Sequence, residues 1–304
     1  MAAQKRVNAK FKQSGFRGLA GAVLRRVANM IDQPTRRDVA PVYNHQLTAH
    51  QVLSRYMSFV GKDVLEVGGA QSCESMYPFL RDGAASGVVS GLDHICEEQT
   101  DREYNLRVQR ADALKLSAIF GPSRFDVIYG LSILEHIPSP AVFLDEVYAV
   151  LRPGGLAYLE GNPLWSSRHG HHVWVATWGG AYQGRATSNY LFCQFPGHTS
   201  TNPLPDWSHL LMSQGQMREH LTNKGLPEID IDCILDWVFS SAEINRLALS
   251  DISAAYGRSK LVVLEANTTR CHVPQDVQVA LRERNGDGID YGLGSVAYVL
   301  AKPR

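Results

Sequence analysis

No apolar run in this 304-residue chain approaches the roughly 18 to 20 residues that a membrane-crossing helix requires, and the first residues lack the uninterrupted apolar segment of a secretory signal. Cysteine is scarce and scattered: Cys73, Cys96, Cys193, Cys233 and Cys271 are odd in number and contain no Cys-x-x-Cys pair. That spacing argues against a disulfide framework or a zinc ribbon and fits a reducing compartment, so a cytoplasmic location is expected. No internal repeat or low-complexity segment appears. With 44% hydrophobic and 20% charged residues the composition is that of an ordinary globular protein, and one elaborated domain is expected.

The net charge of zero conceals an asymmetry. Residues 1 to 37 carry nine basic side chains (Lys5, Arg6, Lys10, Lys12, Arg17, Arg25, Arg26, Arg36 and Arg37) against one acid, Asp32, which leaves the rest at −8, with 21 basic against 29 acidic groups. Phe16, Leu19, Val23, Val27 and Met30 recur within this stretch at helical spacing, which predicts a basic amphipathic helix. Three uses stay open: docking on its own domain or a second copy, contact with an anionic membrane surface, or organelle targeting. Nucleic acid is not an expected partner, because the body is acidic and no aromatic-basic motif follows.

The body is organised around Asp63-Val64-Leu65-Glu66-Val67-Gly68-Gly69-Ala70-Gln71-Ser72, an apolar strand with one carboxylate running into a glycine turn. Small residues at such a turn let the backbone approach a ligand, and Ser72-Cys73-Glu74-Ser75 offers side-chain caps to a helix beginning at Met76-Tyr77. Upstream, Asn44 to Phe59 reads as a helix. Downstream, the strand Gly87 to Asp93 ends in an acid followed by His94, and an acid there can accept hydrogen bonds from both ribose hydroxyls of a nucleoside. Strands are also expected at Leu106–Gln109, Arg124–Leu131, Leu156–Glu160, within Ile229–Phe239 and at Gly294–Leu300. Helices are expected at Ala141–Leu151, Gln214–Asn223, Ala242–Tyr256 and Pro274–Glu283.

Five separated pieces then agree: Val64-Leu65-Glu66-Val67-Gly68-Gly69, Asp93, Ala111-Asp112-Ala113, Phe125-Asp126-Val127-Ile128 with Leu134-Glu135-His136-Ile137, and Leu151-Arg152-Pro153-Gly154-Gly155. In this order they resemble a class I S-adenosylmethionine-dependent methyltransferase. The resemblance implies an α/β fold: a doubly wound, Rossmann-like sheet of seven strands, mostly parallel with the last strand antiparallel, plus N-terminal helices and lid insertions. The implied organisation is an N-terminal extension over residues 1–60 and a methyltransferase domain over 61–304, with substrate-side insertions near 161–213 and 240–293.

The cofactor implied is S-adenosyl-L-methionine. Its implied contacts are Glu66 near the methionine amino group, Gly68 and Gly69 beneath it, Asp93 and His94 at the ribose, Asp112 and Ala113 at the adenine, and Leu131 at the end of the fourth strand. The family pattern Glu-x-Gly-x-Gly-x-Gly reads here Glu66, Gly68, Ala70, Ser72, so only its first glycine is kept. A pyrophosphate needs the full glycine run, whereas adenosylmethionine has no phosphate, which makes a nicotinamide oxidoreductase the second reading. A third is a methyltransferase-like protein that binds cofactor without turnover.

Methyl transfer is an in-line displacement, so the enzyme mainly aligns donor and acceptor and removes one proton. The stretch Trp165-Ser166-Ser167-Arg168-His169-Gly170-His171-His172-Val173-Trp174, with His198 and Trp207-Ser208-His209, offers imidazoles whose ordinary pKa suits that task. His171, His172, His209 and His136 are the candidate bases, and Trp165, Trp174, Trp178 and Tyr182 a candidate aromatic wall. In some ubiquinone-pathway O-methyltransferases that the chain resembles, the segment after the fourth strand reads Glu-x-x-Glu-His and holds a divalent ion. Ser132 replaces the first glutamate here, leaving Glu135 and His136, and no metal is expected. The acceptor expected is a small molecule, a natural product or glycan precursor methylated at oxygen. No Asn/Asp-Pro-Pro-Tyr-like base-methylation motif is present.

Overall fold

Each strand of the central sheet is a short apolar run that buries alternate side chains on opposite faces. The computed structural model describes residues 44–69, 75–92, 99–176, 181–182, 185–186, 191–193 and 200–304. The basic helix expected within residues 1–37 therefore lies outside the described residues, as do Asp93 and His94.

The chain enters through helix α1 (Asn44–Leu53) and strand β1 (Asp63–Val67), then α2 (Tyr77–Arg81), β2 (Ser86–Gly91), β3 (Gln99–Asp101) and β4 (Leu106–Arg110). After α3 (Leu116–Phe120) come β5 (Phe125–Gly130), α4 (Pro140–Val150) and β6 (Leu151–Gly161). The sheet order is β12-β13-β6-β5-β1-β2-β4-β3, where β12 is Val262–Arg270 and β13 is Leu293–Ala301. Strands β4, β2, β1, β5 and β6 pair parallel, whereas β13 runs antiparallel to both neighbours. This is the expected doubly wound arrangement, extended to eight strands because β3 folds back antiparallel on β4. The chain builds outward from β1 to β4, then returns to β5 on the other side of β1. The crevice at that reversal, between the carboxyl ends of β1 and β5, is where such sheets bind ligands.

Two layers cover the faces. Leu65, Val67 and Ile128 pack with Phe143, Leu144 and Val147 of α4, whereas Val64, Val127 and Tyr129 pack with Ala49 and Leu53 of α1 and Phe79 of α2. Residues 44–60, expected in the N-terminal extension, thus belong to the sheet body, and α1 ends at Leu53 rather than Phe59.

Two expectations need correction. Ile229–Phe239 is helical, α7 spanning Glu228–Phe239 after α5 (Ser208–Leu211) and α6 (Gln214–Asn223). Ile231, Ile234, Leu235 and Val238 recur at helical spacing and are buried in one cluster with Met217 and Leu221 of α6, while Glu228 and Asp230 sit in the first turn, where acids suit the helix dipole. The strand expected there is instead β12, inside the stretch 240–293 assigned to a lid. That stretch also holds α8 (Leu249–Arg258), whose Ile252, Ala255 and Tyr256 join the α4 side of the core, and α9 (Gln275–Asn285).

The first insertion carries a small sheet, β10-β7-β11, built from Leu191–Cys193, Trp174–Ala176 and Ser200–Thr201, and a two-stranded pair, Ala181–Tyr182 (β8) with Arg185–Ala186 (β9). Side chains of the expected aromatic wall beyond Trp165 lie outside the described residues, as does His198. Among the described residues no helix is long and apolar enough to cross a membrane.

At the amino ends of the strands, Arg152 of the Leu-Arg-Pro-Gly-Gly piece bridges Asp63 of β1, at 2.9 Å, and Asp126 of β5. Arg124 adds a second contact to Asp63 at 2.7 Å. The motif arginine therefore staples three strands on the edge away from the crevice. Arg152→Ala is expected to lower stability by about 1 to 2 kcal/mol, the worth of charge-assisted hydrogen bonds reduced for partial exposure. Cofactor-product affinity should stay unchanged. Urea unfolding at neutral pH with parallel calorimetry checks both, and a large loss of affinity without a loss of stability would contradict this assignment.

Candidate functional site

The alternation of β1 sends Glu66 to the same face as Tyr129, next to the crevice. The carboxylate is 5% exposed and accepts hydrogen bonds from Ser75 Oγ at 2.7 Å and Tyr129 Oη at 2.9 Å. Burial pushes its pKa up to about 7, against the opposing pull of these two hydrogen bonds. Ser90 Oγ donates to the Glu66 carbonyl at 2.8 Å, which pins β1 to β2 at this point. Ser75, expected to cap the next helix, is thus spent on Glu66, and the N-cap residue Met76 makes no side-chain cap. Ala70 to Glu74 lie outside the described residues.

The turn itself is closed to side chains. Gly68 has φ +78°, and a Cβ there would overlap Ile133. A Cβ on Gly69 would come within 2.6 Å of Val89 Cγ1 and 2.7 Å of Glu66 Cδ. Gly130, at the end of β5, is closed in the same way, its Cβ meeting Ile133 Cγ2 at 2.7 Å. Backbone is therefore the only wall Gly68 and Gly69 can offer a ligand, with one buried carboxyl beside it. These features fit an adenosylmethionine amino-acid moiety.

The other expected cofactor contacts are partly placed. Asp112 is the N-cap of a short 3-10 turn, Ala113–Lys115, its Oδ1 accepting from Leu114 N at 2.9 Å, and Lys115 Nζ lies 3.6 Å from Oδ2. Ala113 and Leu131 are partly buried, one against each layer of the core.

The histidines divide into two groups. His171 is fully buried, its Nδ1 accepting from Val173 N at 2.9 Å, and His209 donates from Nε2 to the Trp165 carbonyl at 2.7 Å. Their rings meet edge to face at 5.5 Å. Burial drives the pKa of His171 well below the usual imidazole value and that of His209 down to about 3, aided by neighbouring histidines. Both are neutral near pH 7 and are weak proton acceptors there; their hydrogen bonds hold the loop together. Ser166 Oγ, Ser167 Oγ, Ser208 Oγ and His209 Nδ1 are also buried here, with no hydrogen-bond partner among the described residues.

His136 and His172 instead gather around Glu135. Their rings lie 5.4 Å apart, and His172 Nε2 is 3.9 Å from Glu135 Oε1. Glu135 is 1% exposed, accepts from Asn162 N at 3.1 Å through Oε1, and has no partner for Oε2 among the described residues. A Cβ on Gly161, the last residue of β6, would lie 3.4 Å from Glu135 Oε2, so this carboxyl stands at the carboxyl end of β6, the strand beside β5. Sequence spacing grouped His171, His172 and His209; the fold keeps His172 within electrostatic reach of the other two and also joins it to His136 and Glu135. It also brings in Tyr129 and Gly130, and it gives new partners to Glu135 and Ser75, which the sequence had marked beside His136 and as a helix cap.

A family model described as a methyltransferase domain matches residues 43–212. Among curated proteins, the ubiquinone biosynthesis O-methyltransferase of Psychrobacter arcticus is 31% identical over 122 residues, which covers 38% of this chain and 45% of that protein. The protein of the same name from Azotobacter vinelandii is 27% identical over 113 residues, 36% of this chain and 47% of that protein. The chain thus matches a little under half the length of these relatives. Among solved structures, an S-adenosylmethionine-dependent methyltransferase from Mesorhizobium loti aligns with a TM-score of 0.42 at 14% identity, covering 83% of this chain and 95% of that one. The matched span runs from α1 through the glycine turn and strands β1 to β6 to the histidine loop, and on that match the chain belongs to the class I S-adenosylmethionine-dependent methyltransferases.

Proposed function

We propose that the protein transfers the methyl group of S-adenosyl-L-methionine to an oxygen of a small-molecule acceptor. The observation that carries the reading is the pairing of a buried carboxyl, Glu66, with a turn at Gly68 and Gly69 that admits no side chain. When bound, the cofactor supplies a methyl group on a sulfonium, activated for displacement. In its carboxylate form Glu66 would hold the amino group, the glycine turn would carry the backbone contacts, and Asp112 with Ala113 would border the adenine. Asp93 and His94 keep their proposed place at the ribose.

The same site disfavours the oxidoreductase reading. A pyrophosphate is received by a full glycine run leading into a helix N-terminus. Here that run keeps only its first glycine, Gly68, and a buried carboxyl adjoins the turn.

The acceptor would enter from the insertion after β6. An acceptor hydroxyl must lose its proton as the methyl group arrives, and Glu135, His136 and His172 present acceptor atoms at the carboxyl end of β6. The buried hydroxyls of Ser166, Ser167 and Ser208, which have no hydrogen-bond partner among the described residues, suit a polar acceptor or the waters that precede it. The relatives named for O-methylation support oxygen over nitrogen or carbon.

Calorimetry with S-adenosylhomocysteine should show saturable binding at one site per chain, and reduced nicotinamide none. Labelled methyl groups should then appear in an ether product when hydroxylated small molecules are screened. A folded protein that ignores S-adenosylhomocysteine would sink the reading; one that binds it yet methylates nothing would point to the non-catalytic alternative.

A further inference from the structure

We infer that Ser75 and Tyr129 are positioning residues for the amino group of the cofactor: their hydroxyls clamp one oxygen of Glu66, which fixes the plane of the carboxyl and leaves its other oxygen to receive the ammonium. This role rests on the contact proposed for Glu66 and goes beyond it, because neither hydroxyl need touch the cofactor.

Three elements build the clamp. Glu66 of β1 and Tyr129 of β5 are direct partners in the parallel pairing of these strands, so their side chains leave the same face side by side. Ser75 stands just before α2. Ser75 Oγ lies 2.7 Å and Tyr129 Oη 2.9 Å from the same carboxyl oxygen, Oε2, and the two hydroxyls are 3.2 Å apart. Each hydroxyl has one hydrogen to give, and the ionised carboxyl, which only accepts, takes both. Oε1 makes no hydrogen bond among the described residues, so an ammonium meets the carboxylate there, through one oxygen and from one direction.

The clamp is itself held. Tyr129 is fully buried, and Phe79 of α2 stacks on its ring with centroids 5.0 Å apart and planes 19° from parallel. Ser75 is buried as well. A neutral carboxyl needs only one acceptor for its hydrogen, whereas two donors aimed at one oxygen favour the ionised form that an ammonium requires.

The electrostatics agree with the geometry. Burial drives Glu66 toward its neutral form, and the two hydroxyls oppose it. Among the described residues, the elements packed on this face bring His50 of α1, bound to Asp82 at 2.7 Å, Tyr77 of α2, edge-on to Tyr104, and Tyr158 and Glu160 of β6. Asp63 and Asp126 stand with Arg152 at the amino ends of β1 and β5. What acts on the Glu66 carboxyl is burial, Ser75 and Tyr129. Loss of either hydroxyl leaves burial less opposed and pushes the pKa of Glu66 higher, by about one unit for a hydrogen bond to a charged group. Below that value the ammonium must displace a proton in order to bind.

The test measures S-adenosylhomocysteine affinity by calorimetry across neutral pH on the full chain, on Tyr129→Phe and Ser75→Ala, and on each of these combined with Glu66→Gln. At about pH 6 each single variant should bind about tenfold more weakly than the parent, and the loss should shrink to within about threefold by about pH 9, because the titration midpoint has moved up by about one unit. In the Glu66→Gln background neither substitution should weaken binding by more than about twofold. A loss that is equal at every pH, or that persists in full without the Glu66 carboxyl, reveals a merely structural role and overturns the inference, as does unchanged affinity in both variants. Should Tyr129→Phe fail to fold, Ser75→Ala decides. Carbon-13 spectra of the free protein labelled at its glutamate carboxyls, with Glu66 assigned by its absence in Glu66→Gln, read the same midpoint without a ligand. A parent that binds no S-adenosylhomocysteine sinks the methyl-transfer reading; in that case an upward shift in these spectra upholds the clamp on Glu66, and an unmoved midpoint overturns it.

Discussion

Replacing Gly170 by alanine is expected to cost about 3 to 4 kcal/mol and to dismantle the histidine loop. A Cβ at this position would sit 2.6 Å from the Trp165 carbonyl carbon and 2.7 Å from the Leu164 oxygen, and closer still to the Trp165 oxygen. All three are backbone atoms, so no rotamer change can absorb the methyl group, and overpacking of this kind costs about 1 to 3 kcal/mol before further losses. Those losses follow from the geometry. The Trp165 carbonyl accepts from His209, and the Gly170 carbonyl accepts from His172, so a displaced turn breaks two buried hydrogen bonds worth about 1 kcal/mol each. Gly215 in α6 has nothing within 4 Å of its missing Cβ, and Gly215→Ala should be neutral or stabilise by up to about 1 kcal/mol. Urea unfolding of the two variants beside the parent is the measurement. A Gly170→Ala protein as stable as Gly215→Ala would show that the loop packs differently.

The second large effect is a pH dependence centred on Glu66. Its folded pKa of about 7 stands above the ordinary carboxyl value, so between about pH 4.5 and 7 the folded chain binds more protons than the unfolded one. The free protein should therefore lose stability as pH rises through that window, by about 3 kcal/mol from this group, and change little from it above pH 7. Cofactor binding runs the other way. An ammonium beside Glu66 requires the carboxylate, so below pH 7 binding must expel a proton, and affinity for S-adenosylhomocysteine should fall nearly tenfold per pH unit down to about pH 5. Glu66→Gln should abolish this slope and reduce affinity near pH 7 by about thirty- to hundredfold, the worth of a buried charge-assisted contact. Calorimetry in two buffers of different ionisation enthalpy counts the protons released. A flat affinity between pH 5 and 7 in the parent protein would remove Glu66 from the amino-group site.

Much of the scaffold was legible because the physics involved is local. Buried parallel strands must be short and apolar, so β1, β2, β5 and β6 announce themselves, as do the glycine turn and the Leu-Arg-Pro-Gly-Gly break. The helix at Gln214–Asn223 was legible as well, and the structure adds a capping box of Ser213 and Gln216 at its start. The errors have local causes too. Ile229–Phe239 is apolar on enough of its circumference to be taken for a strand, and burial against α6 decides for a helix. Strand β12 gave no signal because it is an edge: Val262, Val263 and Leu264 are 49%, 42% and 45% exposed, so neither face imposes an alternation.

The sequence by itself determined the parallel strands of the sheet, the glycine turn after β1, and the presence of imidazoles in the chain that follows the fifth strand of the parallel set. Only the tertiary structure decided what those groups are. Burial turned His171 and His209 into neutral struts, and one carbonyl each, of Glu243 and of Gly170, oriented His136 and His172 toward Glu135. Arg152 became a staple at the far edge of the sheet. Spacing along a chain fixes which residues share a face of one element, whereas charge state and ligand geometry depend on what the fold removes from water and what it brings opposite.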